Sequence, residues 1–233
     1  MKKIAILQSN YIPWKGYFDL IAAVDEFVFY DDVQFTKNDW RNRNKIKTPR
    51  GVAWLTIPVG DHIHREIREV SPSNDQWQEK HWKSLCANYA RAACFRDVAR
   101  WLEPLYLGKT HRNLSALNQE FIVAICRYLG IQTRFSHSWD FESAEGRVER
   151  LISICRQAEA GIYLSGPSAR SYLDETGFSA AGIAVNWFDY AGYPEYPQCW
   201  GVFESAVSIL DLLFNCGPKA GQYMKNAPRH PEK

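Results

Sequence analysis

The sequence predicts an α/β protein in three layers, with a parallel or mixed sheet and a helical segment inserted at about 75–130. Three observations carry that reading. Short apolar runs rich in β-branched and aromatic residues occur at the start and again in the second half of the chain. Helical periodicity stands between them, so strand, helix, strand occurs twice. A block of helical patterns separates the two units.

Taken in order, "KIAIL" is a buried strand that ends at Gln8. "WKGYFDLIAAV" (14–24) is a short helix with Phe18, Ile21 and Ala22 on one face, and "EFVFYDDVQF" (26–35) is a second strand. Strand, helix, strand within about 35 residues is a βαβ unit, so the two strands should be parallel. "TKNDWRNRNKIKTPRG" (36–51) reads as a polar basic loop. "VAWLTIPV" (52–59) and "HIHREIREV" (62–70) read as strands around a Gly60-Asp61 turn. A helix follows with Trp77, His81, Leu85 and Tyr89 at steps of four, then helices near 95–107 and 114–129, the last stopped by Gly130. "IQTRFSHSW" (131–139), "EGRVERLISICRQAEA" (145–160) and "GIYLSG" (161–166) form the second strand–helix–strand unit. A short helix opens at Pro167, a strand covers 183–190, and "VFESAVSILDLLFNCG" (202–217) is a final amphipathic helix. The polar tail after Pro218 is expected to fray. The whole chain, 1–233, reads as one Rossmann-like domain.

Composition limits the function. With 28 Lys and Arg against 26 Asp and Glu, the net charge of +2 argues against a nucleic-acid binder. The six cysteines form no C-x-x-C pair, which fits thiols in a cytoplasmic protein. No apolar run is long enough to span a bilayer. Nine Trp, twelve Tyr and twelve Phe supply core and stacking surface.

Ligands of open parallel sheets collect at the carboxyl ends of the strands. That rule selects Gln8 to Lys15, Asp31 to Lys37 and Ser165 to Arg170. Lys15 stands at a helix start, where an ammonium group and free N–H groups suit a phosphate. Gln8 offers hydrogen bonds; Tyr11 and Trp14 offer stacking faces. Asp31 and Asp32, with Gln34, suit a magnesium ion or a sugar hydroxyl. Lys37, Arg41, Arg43 and Asn44 lie on the basic stretch that follows and suit a diphosphate. Ser165, Gly166 and Ser168 form an anion nest or a plain helix cap. His62 and His64 share a strand face without a third metal ligand. His81 is a candidate general base. No Ser-His-Asp order and no phosphate-loop fingerprint is present.

"LQSNYIPWKGYFDLI", "DEFVFYDDVQFTKNDWRNRNKIK", "WLTIPV", "YLSGPSARSYLDETGF", "YPQ" and "FESAVSILDLLFNCG" together resemble the WbqC-like protein family over nearly the whole chain. Gln8, Tyr11, Pro13 and Trp14 match a family-like Q-P-x-Y-x-P-W opening, with Ser9 in place of the proline. The resemblance implies an association with bacterial surface-polysaccharide biosynthesis, such as O-antigen. It implies a transferase acting on a nucleotide-linked or carrier-linked sugar. Acyl, aminoacyl or related group transfer would then be stabilised by Lys15, Arg41 and Arg43, with His81 or Asp31 as the base. The opening is also similar in fold to adenylating nucleotidyltransferases, with Trp14-Lys15-Gly16-Tyr17 where H-x-G-H stands in those enzymes. That similarity implies ATP with magnesium at Asp31 and Asp32. A non-catalytic binding module of a glycan-assembly complex is the third reading. The sequence assigns no oligomeric state.

Overall fold

Five short strands lie side by side in the order β5-β2-β1-β6-β7, and every pairing is parallel. They are β1 (Lys3–Leu7), β2 (Glu26–Phe29), β5 (Arg134–His137), β6 (Ile162–Ser165) and β7 (Ala184–Trp187). A separate antiparallel hairpin joins β3 (Arg43–Thr48) and β4 (Gly51–Thr56). This computed structural model describes residues 1–62 and 64–229. The strand order and direction are those of a Rossmann-like α/β fold.

Side-chain alternation divides the sheet into two buried faces. Ala5, Phe27, Phe29 and Leu164 face one core; Ile4, Ile6, Val28 and Tyr163 face the other. The first core is covered by α1 (Lys15–Ala22), α2 (Gln76–Tyr89), α3 (Phe95–Leu107), α4 (Leu114–Leu129) and α7 (Ile209–Cys216). The second is covered by α5 (Arg147–Gln157) and α6 (Glu175–Ala180). Burial on both faces explains why these strands read as continuous apolar runs. Helix ends follow local chemistry. Asn113 Oδ1 accepts from Ala116 N at 2.9 Å to start α4, and Gly130 closes it at φ 73°.

Three sequence expectations change. The hairpin is Arg43–Thr48 with Gly51–Thr56, turning at Pro49-Arg50, rather than 52–59 with 62–70. The basic stretch is a strand because Asn44 and Ile46 point inward while Lys45 pairs with Trp54 on the open face. Residues 67–69 form a single 3-10 turn, with one bridge from Glu66 to Gln34; Ile63 lies outside the described residues. Second, the final helix begins at Ile209 instead of 202, where Ser208 Oγ accepts from Leu210 N. Third, the tail is packed as far as Ala227. Ala220, Met224 and Ala227 are buried, and Asp19 accepts backbone N–H groups from Lys225 and Asn226 at 3.0 and 2.6 Å. Residues 230–233 lie outside the described residues. No helix among the described residues is long and apolar enough to cross a membrane.

Phe27 is fully buried between α1 and β5, 5.6 Å from Tyr17 and 6.2 Å from Phe135 between ring centres. Phe27→Ala is expected to lower the unfolding free energy by about 3–5 kcal/mol in a urea titration. A loss below about 1 kcal/mol would contradict burial at the centre of this face.

Candidate functional site at the sheet switch point

The chain leaves β1 toward β2 on one side and later returns to place β6 on the other side. The two connections diverge there, so a crevice opens between the carboxyl ends of β1 and β6. A cavity of about 570 Å³ occupies this position. That volume falls within the roughly 300–1,000 Å³ of ordinary ligand sites. Gln8 closes it from the end of β1, Tyr30 from the end of β2, and Ser165, Gly166 and Ser168 from the end of β6. Arg147 and Arg150 line it from the first turns of α5.

Those arginines, three residues apart, share one helix face. Cations in a first helical turn oppose the helix dipole, so their placement needs another reason. Arg150 donates from Nη2 to the Asp32 carboxylate and from Nη1 to the Asp32 carbonyl at 3.3 Å; its buried Nε has no partner. Arg147 lies over the Tyr172 ring at 3.5 Å, and no carboxylate among the described residues forms an ion pair with it. Asp32 offsets Arg150, so Arg147 leaves the cavity with unbalanced positive charge. Gly146 sits at φ 91°, and a Cβ there would meet Glu149 Oε2 at 2.1 Å. Glycine lets α5 start directly on the cavity rim.

Several sequence candidates lie elsewhere. Lys15 is 4% exposed, donates to the Pro194 carbonyl at 3.0 Å, and lies 5.1 Å from the ring centres of both Tyr193 and Tyr196. Burial lowers its pKa. Asp31 is fully buried: Oδ1 accepts from Ser9 N at 2.8 Å, and Oδ2 accepts from Ser115 Oγ and Gln119 Nε2. Lys15, Asp31 and Ser165 therefore share no hollow; Ser165 alone lines the cavity. His81 is buried, and burial depresses its pKa to about 4. Its Nε2 lies 3.2 Å from the Thr56 carbonyl, which must receive a proton; Nδ1 then accepts from Tyr11 Oη at 2.8 Å. Tyr11 is fully buried in that network, so it offers no stacking face.

Among the basic candidates, Arg41 donates to Gln8 Oε1 and to Asp39 at 3.1 Å, supporting the cavity from behind Gln8. Lys37 pairs with Asp61. Arg43 covers the Trp54 ring at 4.2 Å. Gln34, exposed, lines the cavity beside Val33. His62 and His64 are exposed and belong to no strand. Among the described residues, no group of three His, Cys, Asp or Glu side chains can hold a metal ion.

The loop from Gln8 to Trp14 is fastened by hydrogen bonds. Ile12 adopts φ 36°, a rare conformation for a β-branched residue. Asn44 Nδ2 donates to the carbonyls of Tyr11 and Ile12 at 3.0 and 2.9 Å, and Ser208 Oγ donates to the Ile12 carbonyl at 2.7 Å. Tyr11 N donates to the Trp40 carbonyl at 2.9 Å. Asn44 is thus a clamp for the backbone and does not reach the cavity. Trp14 folds over Gly16, where a Cβ would meet its ring at 2.3 Å.

The sequence model of the WbqC-like protein family matches residues 8–223. The chain belongs to that family. The match opens at Gln8, on the cavity rim, and contains both arginines. The chain is also similar to a Mycobacterium tuberculosis (strain ATCC 25618 / H37Rv) protein described as "Uncharacterized protein Rv1507c", with 57% identity over 227 residues. The match covers 97% of this chain and 98% of that relative. No solved structure matches.

Arg147, Arg150, Tyr30, Tyr163 and Tyr172 also line the cavity, and none of them is among the residues the strand-end rule selects. One signal was available in "GRVER": two arginines in a first turn, against the dipole.

Asn44→Ala is expected to cost about 1–3 kcal/mol of stability, because two buried carbonyls lose a donor. Equal stability would contradict the clamp. His81 stays neutral when folded, so its contribution is complete above about pH 6.5 and is lost as pH falls toward about 4. Wild type should lose about 3 kcal/mol more than His81→Gln over that interval. Parallel acid profiles would contradict a buried neutral imidazole.

Proposed function

We propose that this protein is a transferase acting on a nucleotide-linked or carrier-linked sugar in surface-glycan biosynthesis, and that the phosphate part of that substrate binds in the switch-point cavity. The observation that carries the reading is the unbalanced guanidinium of Arg147 beside Arg150 in a cavity at the strand ends. A planar cationic fork matches two oxygens of a diphosphate. Ser165 and Ser168 add hydroxyls, and the rings of Tyr30 and Tyr172 add apolar walls. The association with surface polysaccharide that the family resemblance implies supplies the sugar class.

The arginines would stabilise negative charge that develops on a departing phosphate. His81, Asp31 and Lys15 have no part in this reading, since each is engaged away from the cavity. An ATP-dependent adenylating enzyme draws less support, because Asp31 is occupied by three donors and Asp32 by Arg150 and Ser138. A non-catalytic module needs no convergent polar cavity at this position.

Isothermal titration with UDP, dTDP and their sugar conjugates tests the reading. Arg147→Ala is expected to weaken a bound nucleotide-linked sugar by about 1–3 kcal/mol, while Lys15→Ala and Arg43→Ala leave its affinity unchanged. Equal binding by wild type and Arg147→Ala, or a response to ATP with magnesium alone, would overturn it.

A further inference from the structure

A second hollow, of about 290 Å³, lies at the other end of the Gln8–Trp14 loop. It is lined by Asn10, Pro13, Trp14, Trp40, Asn44 and two small residues from 205–206. None of these side chains carries charge, in contrast to the arginine-lined cavity. Its size is at the bottom of the roughly 300–1,000 Å³ range for ligand sites, and suits a single ring better than a nucleotide.

Both aromatic walls are held in place before any ligand arrives. Trp14 is packed against Tyr190 and Tyr193, with ring centres 5.2 and 5.9 Å away, and folds over Gly16. Trp40 is 41% exposed, yet its ring lies 5.6 Å from Trp54 and its carbonyl accepts from Tyr11 N. Arg43 and Lys45 cover Trp54 in turn, at 4.2 and 5.1 Å. Little side-chain freedom is left to lose on binding. Polar side chains also reach the lining: Asn10, Asn44 and Ser205 stand beside the two indoles.

We infer that this hollow binds a neutral sugar ring of the acceptor, with its C–H face against the indoles and its hydroxyls toward the polar side chains of Asn10 and Ser205. The inference rests on the proposed transferase reading, in which the arginine cavity holds the phosphate-bearing donor. Gln8 lines the cavity and Asn10 lines the hollow, so one short, clamped loop borders both sites. An alkyl chain would fit the indole walls but offer nothing to the polar side chains of Asn10 and Ser205. An anionic group would find no cation in the lining.

Saturation-transfer NMR on the full chain tests this with uncharged probes: a panel of methyl hexosides and methyl 6-deoxyhexosides, and n-octyl glucoside. Saturation is expected on the ring protons of at least one methyl glycoside, with affinity at least tenfold weaker in Trp40→Ala and reduced in Asn10→Ala. Melting temperature and UDP-sugar affinity should remain near wild type in Trp40→Ala, separating this site from the arginine cavity. Saturation confined to the octyl chain, no transfer from any methyl glycoside, or binding unchanged in both variants would overturn the acceptor site. If UDP-sugars fail to bind while methyl glycosides still bind through Trp40, the donor reading fails and the saccharide hollow stands.

Discussion

The immobilised turn after β1 is the constraint on which the rest depends. Glycine is absent from Gln8 to Trp14, although Ile12 holds a left-handed backbone. Such a conformation persists only when its surroundings over-determine it. Here Asn44 from the hairpin, Ser208 from the start of α7, and the backbone of Trp40 all bond to two consecutive residues. Three segments distant in sequence are thereby brought to one place. The turn then presents Gln8 to one recess and Asn10, Pro13 and Trp14 to another. Rigidity of this kind places binding groups on a supported loop.

The same chemistry explains why polar residues here are internal. Asp31 ties the end of β2 to the Ser9 amide and to α4, and Asp19 ties α1 to the C-terminal segment. Asp211 accepts from Tyr89, Tyr196 and Gln198, joining α2, α7 and the stretch before α7. Each buried carboxylate is matched by donors, as burial requires. Lys15 follows the same logic with aromatic faces and a carbonyl. A charged residue at a strand-to-helix joint is therefore as much a fastener as a ligand contact.

The sheet was legible in sequence because its strands are buried on both faces, α4 because its caps and apolar stripe agree, and α3 through its apolar stripe alone. The hairpin was not, because the charged Arg43 and Lys45 alternate with the buried Asn44 and Ile46 while Lys47 is itself buried, so charge does not mark one face of the ribbon. Of the residues the strand-end rule selects, Gln8, Gln34, Ser165, Gly166 and Ser168 line one cavity. The expected cations Lys15, Lys37, Arg41 and Arg43 do not line it. Orientation of Lys15 depends on Pro194 and Tyr193, far along the chain, and no local pattern reveals that contact. Arg147 and Arg150 were passed over because a helix beginning with arginines reads as an ordinary solvated face until the sheet order places it over β1 and β6.

The central claim is that a phosphate-bearing ligand occupies the switch-point cavity. A crystal structure of the protein with a nucleotide-linked sugar tests it most directly. The account predicts density for the diphosphate within hydrogen-bonding distance of the Arg147 guanidinium, between the ends of β1 and β6. Density for the diphosphate at Lys15, at Arg43, or anywhere outside that recess would contradict it.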